Sequence, residues 1–330
     1  MTPPLLKVDN LAVEFGSESN PIRAVNGVSF EIEAGGAVGI VGESGSGKSM
    51  TSLAILRLIP DPPGRIVQGR IELNGVNLLD LPQAKMPDIR GRDIAMIFQE
   101  PMSSLNPLMT IGDQVSEALM LHAALDRDAR RHRVIEVLNL VGIPDAAGRV
   151  DAYPHQFSGG MRQRVMIAMA LSCHPKLLIA DEPTTALDVT IQAQILDLLQ
   201  DMKSRLGMSI MLITHAMGVV AEVAQRVVVM YAGRVVEEAS VEQLFANPRH
   251  PYTQGLIRSI PRVDKGGGRK ARLQTIAGTV PKLINPPDSC RFAPRCGFAT
   301  DECRRAQPAL RELEPGHKVA CIHAEATVTS

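Results

Sequence analysis

A short apolar strand that runs into a glycine-rich turn is the feature that most restricts how this chain folds. The run from Ala37 to Val41 is typical of a strand buried on both faces of a sheet. A helical pattern of apolar residues follows the turn, which reads Gly42-Glu43-Ser44-Gly45-Ser46-Gly47-Lys48-Ser49. Glycines let successive amides point inward at a polyphosphate, beside the positive end of the next helix. The pattern therefore predicts a nucleotide-phosphate site in which Lys48 reaches the outer phosphates and Ser49 binds magnesium.

The rest of the chain alternates short apolar strands with helical patterns. Strands are predicted at residues 66–73, 94–98, 177–180, 209–214 and 227–231. A helix-rich stretch is predicted at about 111–148, with further helices from Met161 and from Thr190, and Asn74-Gly75 predicts a hairpin turn. This alternation predicts an α/β fold, built on a mostly parallel sheet with helices on its faces.

Composition limits the partners that the chain can have. With 330 residues, 45% of them hydrophobic, the chain can bury one large core and a smaller appendage. Lys and Arg number 35, as do Asp and Glu, so no nucleic acid or anionic membrane surface is expected as the main partner. The chain start lacks a secretory pattern, and the longest uncharged segment of the chain, 206–221, is shorter than the roughly 18 apolar residues of a membrane span. We expect a cytoplasmic chain whose role at a membrane is peripheral.

Two carboxylates follow the strand predicted at 177–180. Asp181 and Glu182 stand at its carboxyl end, the edge at which open α/β sheets bind ligands. Asp181 can hold magnesium through water, and Glu182 can orient and deprotonate the water that attacks a γ-phosphate. A strand that ends in an acidic turn is equally common without a catalytic role, so the pair gains its weight from the phosphate turn upstream.

A second candidate anion site is the segment Phe157-Ser158-Gly159-Gly160-Met161-Arg162-Gln163. Ser158 is a helix-capping residue type, and the two glycines after it leave the first amides of a helix open to an anion. One ATP does not need two such loops from the same subunit. The natural use of this second loop is therefore in trans, closing over a nucleotide that another subunit holds.

In their order, the phosphate turn, the serine-glycine-glycine helix start and the Asp-Glu pair resemble the ATP-binding-cassette (ABC) transporter ATPases. The segment 153–170, with Met161 where many cassettes have Gln, and the segment 249–253 are similar to the dipeptide and oligopeptide importer subunits. The resemblance covers nearly the whole chain. It implies a nucleotide-binding domain at 1–247 with a mixed sheet, flanking helices, an antiparallel β edge and a helical subdomain at about 100–165.

The same resemblance implies roles for residues that carry little signal by themselves. Gln99, after the strand at 94–98, is similar to the residue that binds magnesium with Ser49 and Asp181, senses the attacking water and relays this to a membrane partner. His215 is similar to the switch histidine on the γ-phosphate. A lone Gln or His at a strand end is usually just a solvated side chain, so both roles depend on the order of the motifs.

Two further positions follow from the resemblance, and one departs from it. Asp188 is similar to the loop residue that crosses the dimer interface, and Phe15 to the aromatic that stacks on adenine, although a place in a strand core is nearly as good an explanation of Phe15. Family members usually carry Asp after the switch histidine, where this chain has Ala216. We expect the missing helix cap to loosen this loop without abolishing the chemistry.

The function implied is ATP hydrolysis that drives uptake of dipeptides or oligopeptides. Partners would be two integral membrane permease subunits, a second, non-identical ABC ATPase and, indirectly, an extracytoplasmic substrate-binding protein, at the cytoplasmic face of the inner membrane. Nickel or glycans are alternative cargoes. A soluble cassette ATPase acting on nucleic acid or ribosomes is an alternative of another class. A third alternative is a regulatory module that binds nucleotide without turnover, and the intact Asp-Glu pair argues against it.

The last part of the chain, 248–330, is expected to form a small extension with a metal site. Four of the five cysteines lie there, Cys290, Cys296, Cys303 and Cys321, and in a cytosolic chain such a cluster favours metal over disulfides. The paired knuckles usual for structural zinc are missing, and the resemblance favours a 4Fe-4S cluster. Zinc is the alternative, with His317 and His323 as further ligands.

Overall fold

The computed structural model describes most of the chain, in two compact units. The described residues are 3–17, 19–99, 104–185, 187–260, 276–281, 283–284, 286 and 288–325. Unit 1 comprises Met1–Leu5, Ile32–Gly36 and Asp80–Leu212, and unit 2 comprises Leu6–Glu31, Ala37–Leu79 and Ile213–Ser330.

The secondary structure alternates along the chain, as the sequence predicts. The strands are β1 Leu6–Phe15, β2 Ile22–Ile32, β3 Ala37–Val41, β4 Gly64–Leu73, β5 Val76–Asn77, β6 Ile94–Ile97, β7 Leu177–Asp181, β8 Ser209–Thr214, β9 Arg226–Tyr231, β10 Arg234–Ser240, β11 Arg311–Glu314 and β12 His317–Val319. The α-helices are α1 Lys48–Ile55, α2 Ile111–His122, α3 Arg127–Leu140, α4 Ala146–Arg149, α5 Gly159–Leu171, α6 Val189–Leu206, α7 Met217–Val223, α8 Val241–Ala246, α9 Pro251–Arg258 and α10 Asp301–Arg305. Single 3₁₀ segments lie at Gln83–Asp88, Pro154–Gln156 and Ala293–Arg295.

Unit 2 contains an antiparallel sheet with strands in the order β2-β1-β4-β5. Strand β1 pairs antiparallel with β4 from Leu6 opposite Leu73 to Phe15 opposite Gly64. The turn between β4 and β5 is the predicted hairpin, because Asn74 and Gly75 both take positive φ, at 50° and 78°.

The other strands of unit 2 lie in the order β11-β12-β10-β9-β3. Only the β3–β9 pair is parallel among the described pairs of these strands, and β9, β10, β12 and β11 run antiparallel to one another. The alternation of strands and helices predicts a mostly parallel sheet, whereas the resemblance implies a mixed sheet with an antiparallel edge. The mixed arrangement is confirmed, because the chain returns through tight turns after β9 and after β11. Buried Val41, Tyr231, Tyr252 and Phe292 share one core, so residues from beyond position 248 pack directly beside the strand that precedes the phosphate turn.

Unit 1 places helices around parallel strands. Strand β7 lies between β6 and β8, and β6 and β7 pair in parallel from Ile94 opposite Leu177 to Ile97 opposite Ala180. Helix α2 packs on α3 and on α5. A side-chain oxygen caps the start of each of these helices and of α6, and the four capping residues are Thr110, Asp126, Ser158 and Asp188. Over the described parts of both units, no helix combines the length and the apolar character that a membrane span needs.

Candidate functional site

The phosphate turn in unit 2 has a backbone that only glycine fits. Gly42, Gly45 and Gly47 have φ of 158°, 78° and 98°. A Cβ atom on Gly42 would lie 2.2 Å from the carbonyl oxygen of Met230, and one on Gly47 would lie 2.5 Å from that of Ala24. Glycine is therefore required here both for the left-handed backbone conformation and for the close approach of neighbouring carbonyl groups. A loop that curls its amides around phosphates has the same requirements.

Lys48 lies over this turn rather than in solvent. Only 5% of the Lys48 surface is exposed, and its Nζ donates to the carbonyl oxygens of Gly42 at 2.7 Å and Glu43 at 3.0 Å. Ser46 is fully buried, and Ser49 is half-buried in the first turn of α1. The positive charge, the helix start and the curled loop together form a cradle for a polyphosphate.

Glu43, inside the turn, has partners that sequence reasoning missed. Its backbone N–H donates to the hydroxyl of Tyr252 at 2.8 Å, and its carboxylate forms an ion pair with Arg295 at 2.6 Å. Both partners come from beyond residue 248. A tyrosine in a helix and an arginine among cysteines give no sequence signal that points to the turn.

His215 and Phe15, the two other predicted nucleotide contacts of unit 2, lie at strand ends. His215 is exposed directly after β8, and Phe15 is half-buried at the end of β1, where a Cβ on Gly64 would lie 2.6 Å from its ring. Ala216 is the N-cap of α7 and offers no side-chain hydrogen bond, as expected from the departure at this position. Its backbone N–H instead donates to the Thr214 hydroxyl at 3.0 Å, which gives this loop a local constraint.

Gln99 and Glu182 are brought together in unit 1. Gln99 Nε2 donates to Glu182 Oε2 at 3.0 Å, and the hydroxyl of Thr185 donates to the same oxygen at 2.9 Å. Asp181, the last residue of β7, is 4% exposed. Sequence reasoning placed Gln99 and Glu182 in one site but missed Thr185, although its position three residues after Glu182 is a signal that could have been used.

The serine-glycine-glycine segment begins α5, as predicted. Ser158 caps the helix through the Met161 N–H at 3.4 Å, and Ser158 and Gly159 are exposed. A Cβ on Gly160 would lie 3.1 Å from Ile191 of α6, so α5 and the helix that Asp188 caps come close at this point.

Gln163 is a further residue that the sequence did not single out. It is fully buried in α5 and its Nε2 donates to the carbonyl oxygen of Pro183 at 2.5 Å. This bond ties the helix of the second anion site to the turn that carries Glu182. A displacement of this helix is therefore expected to shift the turn that carries Glu182.

The four clustered cysteines lie near one another in unit 2. Burial raises the pKa of the Cys290 and Cys296 thiols and raises that of Cys321 to about 11, with the neighbouring cysteines adding to the rise. Backbone N–H groups oppose the rise at these three sulfurs by donating hydrogen bonds to them. Within the part of the chain that the structure describes, no three His, Cys, Asp or Glu side chains form a group that could hold a metal ion.

The two histidines considered as zinc ligands have other partners. His317 Nε2 lies 2.8 Å from Glu237 Oε1, and both side chains are almost completely buried. His323 Nε2 lies 3.2 Å from the hydroxyl of Thr300. His317 therefore serves the junction of β12 and β10 rather than the cysteines.

The chain is similar to known proteins over nearly its whole length. Residues 25–185 match the family model "ABC transporter", and residues 236–303 match "Oligopeptide/dipeptide transporter, C-terminal region". A probable peptide ABC transporter ATP-binding protein of Sinorhizobium fredii is 53% identical over 96% of this chain and 94% of its own length. The dipeptide transport ATP-binding protein DppD of Escherichia coli is 52% identical over 96% of both chains. Among solved structures, a dimeric post-hydrolysis state of the ATP-binding cassette MJ0796 with ADP and phosphate covers 72% of this chain and 98% of its own, at 29% identity and a TM-score of 0.63.

Proposed function

This chain belongs to the ATP-binding subunits of peptide-importing ABC transporters, and from that membership we propose which of its residues bind and hydrolyse ATP and which cargo it serves. The chain is an ATPase subunit of a peptide ABC importer. The proposed cargo is dipeptides or oligopeptides, and the match of residues 236–303 to the C-terminal region of oligopeptide and dipeptide transporters is the observation that carries it.

The phosphate turn would hold the phosphates of ATP. Its amides would bind the inner phosphates, and Lys48, which now donates to the loop carbonyls, would turn to the outer phosphates when nucleotide binds. Ser49, Asp181 and Gln99 would hold Mg²⁺, which neutralises phosphate charge. Phe15 would stack on the adenine.

Hydrolysis would depend on Glu182 as the base that takes a proton from the attacking water. The hydrogen bonds from Gln99 and Thr185 fix one oxygen of this carboxylate and so limit its rotation. His215 would contact the γ-phosphate and stabilise the charge that develops on it. Each group acts by position, since phosphoryl transfer needs little covalent chemistry from the protein.

The second anion site would act across a dimer of cassettes. Exposed Ser158 and Gly159, together with Gly160 and Asp188, would close over the ATP that the partner ATPase holds, and the partner's equivalent loop would close over Lys48. The partner is proposed to be a second, non-identical ABC ATPase. Closure would pull on two membrane permease subunits near Gln99, at the cytoplasmic face of the inner membrane, while an extracytoplasmic binding protein delivers the cargo.

We further propose the boundary between a nucleotide-binding domain at 1–247 and an extension at 248–330 whose four cysteines hold a 4Fe-4S cluster, with zinc as the alternative. Neighbouring cysteines raise the pKa of three of these thiols, and N–H groups directed at the same three are suited to thiolate ligands. Within the described residues the side chains do not yet form a metal-holding group, so the cluster would have to draw the four sulfurs together as it binds. Such a group would supply folding energy to a small segment. Anaerobic purification followed by metal analysis tests this: iron and sulfide near four per chain support the cluster, and a chain free of iron and zinc overturns it.

The function is tested with Glu182→Gln, which keeps the shape of the side chain but removes the base. We expect ATPase turnover to fall by about 10²–10⁴-fold while ATP still binds, and the trapped protein to co-purify with two multi-span proteins and a second ATPase. Glu33→Gln, at an exposed carboxylate in the turn before β3, is the matched control and should behave as wild type. Unchanged turnover in Glu182→Gln would contradict the base assignment. Recovery with nucleic-acid or ribosomal components in place of membrane proteins would favour the soluble alternative.

A further inference from the structure

Glu43 is held at each of its polar groups, although it lies in a loop that must fit a ligand. Its N–H donates to the Tyr252 hydroxyl at 2.8 Å, and its carbonyl oxygen accepts from Lys48 at 3.0 Å. Its two carboxylate oxygens accept from the two terminal nitrogens of Arg295, at 2.6 and 3.0 Å. Two of the three partners belong to the C-terminal extension, so the extension sets the position of this part of the turn.

Every N–H donor of the Arg295 side chain is hydrogen-bonded when it pairs with the Glu43 carboxylate. A guanidinium group offers five N–H donors in a fixed planar fork. The structure gives it five acceptors: the two oxygens of Glu43, the Tyr231 hydroxyl, and the carbonyl oxygens of Ile276 and Ala277. The orientation of the fork is therefore determined on every side. A bidentate pair held in this way fixes direction as well as distance.

The surroundings of Arg295 exclude most water and limit the rotation of its side chain. The Arg295 side chain is 6% exposed, against 30% for that of Glu43. The guanidinium carbon lies 5.7 Å from the ring centre of Tyr231 and 6.0 Å from that of Phe292. Tyr252 packs on the same two rings, with centroids 4.7 and 5.5 Å away. Loss of one member would thus leave a buried group without its partner, which weakens the whole contact.

We propose that Arg295 and Tyr252 are positioning residues for ATP binding, by which the C-terminal extension holds the phosphate turn in its binding conformation through Glu43. A purely structural anchor for the extension would need only a buried acceptor on some strand. This anchor is placed instead within the turn, five residues before Lys48. The inference rests on the phosphate turn being the ATP site.

The mechanism predicts which kinetic constant changes. The turn holds the phosphates in the ground state and in the transition state alike, so a misplaced turn weakens both by the same amount. In the assembled transporter, Arg295→Met should therefore raise KM for ATP about five- to tenfold and leave kcat within about twofold. The purified full-length chain should show the same fold loss in affinity for a fluorescent ATP analogue.

The matched control is another arginine–glutamate pair of the extension that lies outside the turn. Arg249 Nη2 donates to Glu314 at 2.5 Å, and Arg249→Met should leave ATP affinity within about twofold of wild type. Arg295→Lys keeps the charge but loses the fork, so it should restore part of the affinity. Lys48→Ala should abolish binding and so shows that the phosphate turn is the site.

A double-mutant cycle joins the two residues directly. Glu43→Gln alone should weaken ATP binding about as much as Arg295→Met, and the two together should be no worse than either one. Hydrogen exchange of the peptide spanning residues 42–49 should quicken in Arg295→Met and stay unchanged in Arg249→Met. Wild-type affinity in a folded Arg295→Met chain, or additive losses in the double variant, would overturn the proposal. If Lys48→Ala binds ATP normally, the phosphate turn is not the site and the proposed function fails with the inference.

Discussion

Protonation of His250 should lower the free energy of unfolding at mildly acid pH. One substitution at this position should remove that pH dependence. The residue is 2% exposed and caps α9, because its Nδ1 accepts the backbone N–H of Tyr252 at 3.1 Å. Burial lowers its pKa from 6.5 to about 4, and the nearby Glu237 carboxylate offsets only part of this shift. A proton on Nδ1 would also remove the acceptor on which the cap depends. The folded chain therefore keeps His250 neutral where the unfolded chain protonates it.

The size of the effect follows from these two pKa values. Because the folded pKa is the lower one, the contribution of His250 to stability is complete above pH 6.5 and is lost as pH falls towards 4. The loss is about 0.2 kcal/mol at pH 7 and about 2 kcal/mol at pH 5. Since α9 carries the Tyr252 hydroxyl that holds Glu43, the same protonation should loosen the phosphate turn.

Urea unfolding at pH 7 and at pH 5 measures the predicted loss. His250→Asn keeps an oxygen that can accept from the Tyr252 N–H but carries no titrating group. The variant also loses ring packing on Phe292, a cost that is independent of pH and cancels when the two pH values are compared. We expect wild type to lose about 2 kcal/mol more than the variant between the two pH values. Equal losses, within the error of the extrapolation, would refute the assignment of a buried neutral imidazole.

Three further substitutions test the site and its supports. Gln99→Ala removes one donor to the Glu182 carboxylate and one of the proposed Mg²⁺ ligands, so in steady-state assays kcat for ATP should fall about tenfold and KM for MgATP should rise. Asp188→Ala removes the cap of α6, and urea unfolding should show a loss of about 1 kcal/mol. Gly39→Ala places a Cβ 2.4 Å from a methyl group of Val220, so the same measurement should show a loss of about 1–3 kcal/mol.

Local sequence signals predicted those parts of the fold that local chemistry decides. The strands at 37–41 and 209–214 have the predicted bounds, and the Asn74-Gly75 hairpin and the Ser158 cap are present as expected. The helical spacing of apolar residues after the phosphate turn continues in the sequence through Leu56 to Ile59, whereas the helix itself ends at Ile55. Leu56 is its C-cap and Arg57 has φ of 51°, so the backbone enters the left-handed region before it reaches Pro60.

Contacts made between distant segments could not be predicted in the same way. Gln163 reaches the carbonyl of Pro183 across 20 residues, and Arg295 reaches Glu43 across 252. Neither residue has a periodicity or spacing that indicates its partner, since only packing brings the segments together. The same limit applies to His317, whose nearness to the cysteines in sequence suggested a metal ligand and whose side chain contacts Glu237.

Glu182 shows why a functional position can contradict local preference. It has φ of 48°, in the left-handed region that a non-glycine residue adopts at a cost of about 1 kcal/mol or more. Glycine or asparagine would fit that backbone better, but neither offers a carboxylate. Two donors, Gln99 and Thr185, converge on one oxygen of this side chain and so hold it in a conformation that the backbone alone would not favour. The conflict between conformation and residue type thus supports the same assignment as the hydrogen bonds, because strain of this kind persists where the side chain is needed for chemistry.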